Sequence, residues 1–160
     1  LDLGCGAGGY SVYLAQQGFA VTALDFMPRA LALTSAAASA AGVTVTTVQA
    51  DVMEWQPLTT YHLILDYGCL HGFGQLPAAY KAMLLRALAP GGTFVLGHFN
   101  PRHRFDWRPV GPRRRTRAEI ERFFAPELAM LSYGTRDERS ALPVGPRVQI
   151  GEFEFQVPRP

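Results

Sequence analysis

The stretch Gly4-Cys5-Gly6-Ala7-Gly8-Gly9 constrains this chain more than any other. Four of its six residues are glycine. It follows the apolar Leu1-Asp2-Leu3, which reads as the end of a strand. It precedes residues 10–17, a helical stretch with Tyr10, Tyr13 and Leu14 on one face and Gly18 as its stop. A strand that turns through glycines into a helix opens a β-α unit, and the next strand then returns parallel to the first.

The first half repeats that alternation. Residues 19–24 are predicted as a strand ending at Asp25. Pro28 suits a first helical turn, and the Ala-rich residues 29–41 continue as a helix that Gly42 stops. Residues 43–48 form a β-branched strand followed by Asp51, and residues 61–65 a strand ending at Asp66. Residues 77–88 read as a helix closed by Pro90-Gly91-Gly92, and residues 93–99 as a fifth strand. The expected class is α/β, a parallel sheet flanked by helices. Beyond residue 100 the character changes. Residues 100–116 are a loop rich in Pro and Arg. Thr116 and Glu119 make a capping box for a short helix to Phe124. Residues 128–133 and 148–157 are two final strands.

With 160 residues, 48% of them hydrophobic, the chain reads as one domain with a real core. No apolar run approaches the ~20 residues of a membrane span, so no membrane partner is expected. The chain opens without Met, which leaves a lost leader open. Two cysteines, Cys5 and Cys69, exclude a disulfide scaffold or zinc cluster and favour a reducing, cytoplasmic compartment. No His, Cys and acid spacing suits a metal.

The chemistry gathers at the strand ends. Glycines before a helix let a ligand approach the backbone, and free helix N–H groups attract a negative group. Gly4-x-Gly6-x-x-Gly9 also satisfies a dinucleotide fingerprint, which keeps an NAD(P)-dependent oxidoreductase as an alternative. Asp2 argues against that alternative, because a carboxylate beside the turn repels a pyrophosphate and attracts an ammonium group. Asp25 returns to the same sheet edge and suits two ribose hydroxyls. Asp51, after the third strand, suits the exocyclic amine of adenine.

These motifs, with residues 61–73 and Leu88-Ala89-Pro90-Gly91-Gly92, resemble class I S-adenosylmethionine-dependent methyltransferases, the thiol and thiopurine methyltransferases being the nearest subgroup. The resemblance implies a Rossmann-like three-layer sandwich. Its sheet is seven-stranded and mostly parallel, with an antiparallel last strand. The first strand is truncated and the helices before it are absent, so the chain reads as a fragment. The implied cofactor is S-adenosyl-L-methionine. Asp2, Gly4, Cys5, Gly6 and Gly8 would hold its methionine part, Asp25 its ribose, and Phe26 and Met27 its adenine face. Asp51 and Val52 would read the adenine edge, and Asp66, Tyr67 and Gly68 would lie beside the methyl donor.

His71 is the candidate catalytic base, placed to take a proton from a small-molecule thiol, amine or hydroxyl. Tyr10, Phe73, His98 and Arg104 are candidate acceptor contacts. His71, Cys5 and Cys69 also have plainer readings, as a packed histidine and two free thiols. The stretch after Asp66 lacks the Asn/Asp-Pro-Pro-Tyr sequence of amino-methylating DNA enzymes, which argues against a DNA base as acceptor. Formal charge is +2, and Arg102, Arg104, Arg108, Arg113, Arg114, Arg115 and Arg117 cluster against Asp106 alone. The cluster reads as a solvated loop, or as a flap that grips an acidic acceptor or an RNA backbone. An RNA methyltransferase or RNA-binding domain is therefore a further alternative.

Overall fold

The apolar runs become central strands. Leu3, Ala23, Leu24, Ile64 and Phe94, from four neighbouring strands, are all at most 1% exposed. In the computed structural model, which describes residues 1–101, 113–139 and 147–158, seven strands form one sheet. They are β1 (Asp2–Leu3), β2 (Val21–Asp25), β3 (Val45–Gln49), β4 (Tyr61–Asp66), β5 (Leu88–Phe99), β6 (Ala129–Arg139) and β7 (Arg147–Gln156). Their spatial order is β3-β2-β1-β4-β5-β7-β6. The strands β1 to β5 pair parallel, and β7 lies antiparallel to both β5 and β6. This is the expected Rossmann-like mixed sheet.

The helices are α1 (Gly9–Gln16), α2 (Pro28–Ala40), α3 (Ala78–Ala87) and α4 (Arg117–Phe124). The main core joins Tyr80, Met83 and Leu84 of α3 and Phe124 of α4 to Ile64, Phe94, Phe153 and Phe155 of the sheet, all at most 1% exposed. Phe94 meets Phe124 edge-on at 5.3 Å between ring centres. A smaller cluster of Cys5, Ala23 and Leu31 sits under α2.

Register levels the carboxyl ends of the central strands. Leu3 pairs with Leu24 on one side and Asp66 on the other, and Asp25 pairs with Gln49. The chain winds from β1 outward to β3, then crosses to β4. The order therefore reverses between β1 and β4, which opens a crevice at their carboxyl ends.

Three expectations need correction. The face of α1 turned inward is not Tyr10, Tyr13 and Leu14. Ser11 is fully buried, while Tyr10 and Tyr13 are 39% and 56% exposed. Buried Asp2 requires a hydrogen-bond donor, and Ser11 supplies it. The fifth strand begins at Leu88 instead of residue 93. Pro90-Gly91-Gly92 makes a register shift inside it, where Gly92 lies so tightly against Ala89 and Tyr61 that a Cβ would stand 2.9–3.0 Å from their carbonyls. The sixth strand continues to Arg139 because β7 pairs along its whole length. The capping box is as read: Glu119 N–H donates to Thr116 Oγ1 (3.2 Å) and Thr116 N–H to Glu119 Oε2 (2.7 Å). Of the Arg-rich loop, residues 102–112 lie outside the described residues.

Candidate cofactor and acceptor site

The glycine turn is built by backbone geometry. Gly4 and Gly8 have φ of +67° and +82°. A Cβ on Gly8 would stand 2.8 Å from three atoms of Thr34, so only glycine lets α2 close on the turn. A Cβ on Gly4 would meet the Cβ of Cys69 at 3.0 Å, which brings the loop after β4 down on the turn after β1. The N-cap of α1, Gly8, has no side chain to cap the helix, and of the first-turn N–H groups that of Ser11 is turned to the Asp2 carboxylate.

Between these loops lies a cavity of about 430 Å³. Gly4 lines it from the first turn, and Leu24, Asp25 and Phe26 from the end of β2. Ala50, Asp51 and Val52 line it after β3, and Gly68, Cys69, Gly72 and Phe73 after β4. Asp25 is held from both sides. Its Oδ2 accepts from Gly6 N–H (3.0 Å) and its Oδ1 from Met27 N–H (2.9 Å). Each oxygen keeps a lone pair for a further donor. Asp51 accepts from Met53 N–H at 2.8 Å and is exposed. No basic side chain is among the described lining residues.

Several predicted residues stand elsewhere. Asp2 is 3% exposed and is outside the lining; its Oδ2 accepts from the Ser11 hydroxyl at 2.6 Å, and burial pushes its pKa up. Cys5 packs in the smaller cluster, 3.5 Å from Thr34 Oγ1. Gly6 and Gly8 shape the turn without lining the cavity, and Met27 is the N-cap of α2. Asp66 is fully buried. Its Oδ1 accepts from Gly68 and Cys69 N–H, and its Oδ2 from Leu70 N–H and the Tyr80 hydroxyl at 2.6 Å. Asp66 therefore folds the loop that forms one wall, and Tyr80, which sequence reasoning missed, anchors it. Burial raises its pKa against those four donors.

Tyr67 and Tyr10 leave the cavity together. Their rings lie 4.6 Å apart, and the Tyr67 hydroxyl donates to Glu152 at 2.7 Å. Arg136 joins that group, 3.3 Å from Glu152 Oε1.

His71 and His98 lie behind the Gly68–Phe73 wall. His71 packs edge-on against Phe99 at 4.9 Å, and its Nδ1 is buried without a hydrogen-bond partner. Burial lowers its pKa. His98 is 1% exposed, with Nδ1 3.1 Å from the Phe99 carbonyl and Nε2 unpartnered. Burial pushes its pKa down to about 4. Both imidazoles are neutral near pH 7, as proton acceptors must be. Both cysteines are free, and burial raises both thiol pKa values. Arg104 lies outside the described residues.

His98 has a measurable consequence. An unfolded chain protonates this imidazole near its ordinary value of 6.5, the folded chain only near 4. Between those values the unfolded state binds more protons, so the His98 contribution to stability falls as pH drops. The shift corresponds to about 3 kcal/mol. Urea unfolding of wild type and His98→Gln at pH 7 and pH 4 should show the variant losing less stability by that amount. Equal losses would place His98 in contact with solvent.

The sequence profile of the methyltransferase-domain family matches residues 1–92. The chain belongs to that family. The methyltransferase domain is 32% identical over 101 residues to a 2-heptyl-1-hydroxyquinolin-4(1H)-one methyltransferase of Mycobacteroides abscessus, a match covering 60% of this chain and 44% of that protein. The chain thus spans less than half the length of that curated relative. Among solved structures, one from work on the conversion of a disulfide bond into a thioacetal group during echinomycin biosynthesis is similar, with a TM-score of 0.80 and 24% identity. That likeness covers 98% of this chain and 74% of the other. The N-methyltransferase NodS of Bradyrhizobium japonicum, in complex with S-adenosyl-L-homocysteine, has a TM-score of 0.76 at 18% identity, covering 99% of this chain and 76% of its own. The methyltransferase domain has no helix among the described residues long and apolar enough to cross a membrane, and no group of described side chains suited to a metal ion.

Cys69, Gly72, Ala50 and Leu24 line the cavity without having been assigned to the cofactor site from the sequence. Adjacency was the available signal, since each stands within two residues of a residue that was.

Proposed function

We propose that this domain transfers a methyl group from S-adenosyl-L-methionine to a small-molecule thiol, amine or hydroxyl. One observation carries the reading: the cavity at the sheet's switch point has two carboxylates, Asp25 and Asp51, on consecutive strand ends and no described basic residue. Such a wall suits a cationic nucleoside better than a dinucleotide pyrophosphate. Asp25 fits two ribose hydroxyls. Phe26, 67% exposed at the rim, offers a ring to adenine with Met27 beside it, and Asp51 and Val52 its edge. The turn of Gly4, Gly6 and Gly8 and the uncapped start of α1 suit a carboxylate. Asp2, Cys5 and Asp66 serve by shaping the backbone around that place, and Gly68 forms the wall nearest the acceptor. The cofactor supplies an activated methyl group on a positive sulfur.

The protein's task is then alignment and exclusion of water, worth up to ~7–11 kcal/mol in favourable models. His71 is the residue proposed to take the acceptor proton. Phe73 borders the acceptor, buried His98 supports the wall behind it, and Tyr10 braces Tyr67 at its far side; Arg104 is a further proposed acceptor contact. The Mycobacteroides relative acts on a hydroxylated heteroaromatic compound, which makes such compounds, with thiols and thiopurines, the first acceptors to try.

Titration with S-adenosylhomocysteine and with NAD, followed by radiolabelled-methyl transfer to thiols, amines and hydroxylated heteroaromatics, tests the reading. Binding of the homocysteine product without NAD binding, and label in a small molecule, are expected. Tight NAD binding alone would install the oxidoreductase alternative, and label confined to RNA the nucleic-acid one.

A further inference from the structure

Arg115 is a buried cation that makes no ion pair among the described residues, Glu119 being the acid that acts on it from beyond contact. It is 9% exposed, and its Nη2 donates to the carbonyls of Phe73 (3.2 Å) and Gly74 (3.1 Å). Its Nη1 is buried with no hydrogen-bond partner. Among the described residues no carboxylate stands within ion-pair distance of it. Buried charges in folded proteins are paired, so a guanidinium held only by two backbone carbonyls has room for an anion.

Arg115 lines a groove of about 630 Å³, separate from the cofactor cavity. Arg113, Arg114 and Arg122 line it too, and Glu119 is its single described acid. The Glu119 Oε2 already accepts from the Thr116 N–H and hydroxyl, both at 2.7 Å. Leu76 and Phe123 supply apolar wall. Groove and cavity adjoin across one peptide: Phe73 lines the cavity, Gly74 lines the groove, and Arg115 holds both carbonyls.

We propose that this groove binds the carboxylate or phosphate of an acidic small-molecule acceptor, anchored on Arg115 with Arg113 and Arg122 at the rim, whose remaining part crosses Phe73 and Gly74 to the methyl donor. The volume is that of a small-molecule pocket, and its apolar wall suits an organic acid better than a nucleic-acid backbone. The proposal rests on the methyl-transfer reading for its direction, but the anion site stands by itself. No bond changes in the anchoring step, since the acid group binds as its anion through charge-assisted hydrogen bonds.

Calorimetric titration of the whole chain, with and without S-adenosylhomocysteine, would use inorganic phosphate, 4-hydroxybenzoate and the neutral 4-hydroxybenzamide. The two anions should bind, and the amide about tenfold more weakly or not at all. Arg115→Gln should weaken both anions by about tenfold. Arg113→Gln combined with Arg122→Gln, both exposed in the parent, should weaken the anions in the same direction whatever the buried variant does to folding. The proposal is overturned if neither anion binds, if the amide binds as well as the benzoate, or if the rim variant changes nothing. Binding confined to a single-stranded RNA oligonucleotide, falling steeply with salt, would overturn it as well. Failure of the homocysteine product to bind would count against the methyl-transfer reading and leave the anion result to be read separately.

Discussion

Asp25→Ala is expected to weaken S-adenosylhomocysteine binding at least ~100-fold in calorimetry, since each charge-assisted hydrogen bond lost is worth ~1.5–3 kcal/mol. Two effects add. The ribose loses its acceptor, and the N–H groups of Gly6 and Met27 lose the carboxylate that fixes the glycine turn against the start of α2. Asp25→Asn keeps the shape and one good acceptor oxygen, so it should cost roughly tenfold. A graded series, Asp above Asn above Ala, would show that the carboxylate itself meets the ligand. Unchanged affinity in the alanine variant removes the ribose assignment, and with it most of the case for a nucleoside in this cavity.

The second large effect concerns stability. Asp66→Ala would leave the N–H groups of Gly68, Cys69 and Leu70 and the Tyr80 hydroxyl without their acceptor, and Leu70 and Tyr80 are fully buried. Unfolding in urea should show a loss of about 3–5 kcal/mol, the range for a broken buried polar network. Tyr80→Phe removes one donor and keeps the ring, and about 1–2 kcal/mol is expected there. Cofactor affinity should fall in Asp66→Ala as well, because Gly68 to Phe73 form one wall of the cavity. A small stability change would mean that packing of Leu70 and Tyr80 holds that loop instead.

Much of the site was legible before any coordinates. The order of strands and helices followed from apolar runs and glycine stops, because strand and helix periods are local properties of a chain. Asp25 was placed at one edge by counting residues out along a helix and back along a strand, Gly4 and Asp51 by following a strand end, and Val52 and Gly68 by the resemblance to class I methyltransferases. What the sequence could not tell was which way a carboxylate turns. Asp2 and Asp66 occupy strand ends like Asp25, yet both point inward to hydroxyls, on Ser11 nine residues away and on Tyr80 fourteen away.

The arginine-rich stretch divides in the same manner. Composition marked the whole of it as basic and stopped there. Nothing local separates Arg115 from Arg113 or Arg114; only the packing of the segment before α4 against Phe73 and Gly74 buries the Arg115 guanidinium, half-buries Arg114 and leaves Arg113 exposed. The chain's own order of apolar runs and turns determined the class of fold and the edge where the cavity opens. The tertiary structure decided which charges face that cavity and which hold its walls, because burial and hydrogen-bond partners depend on residues far apart in the sequence.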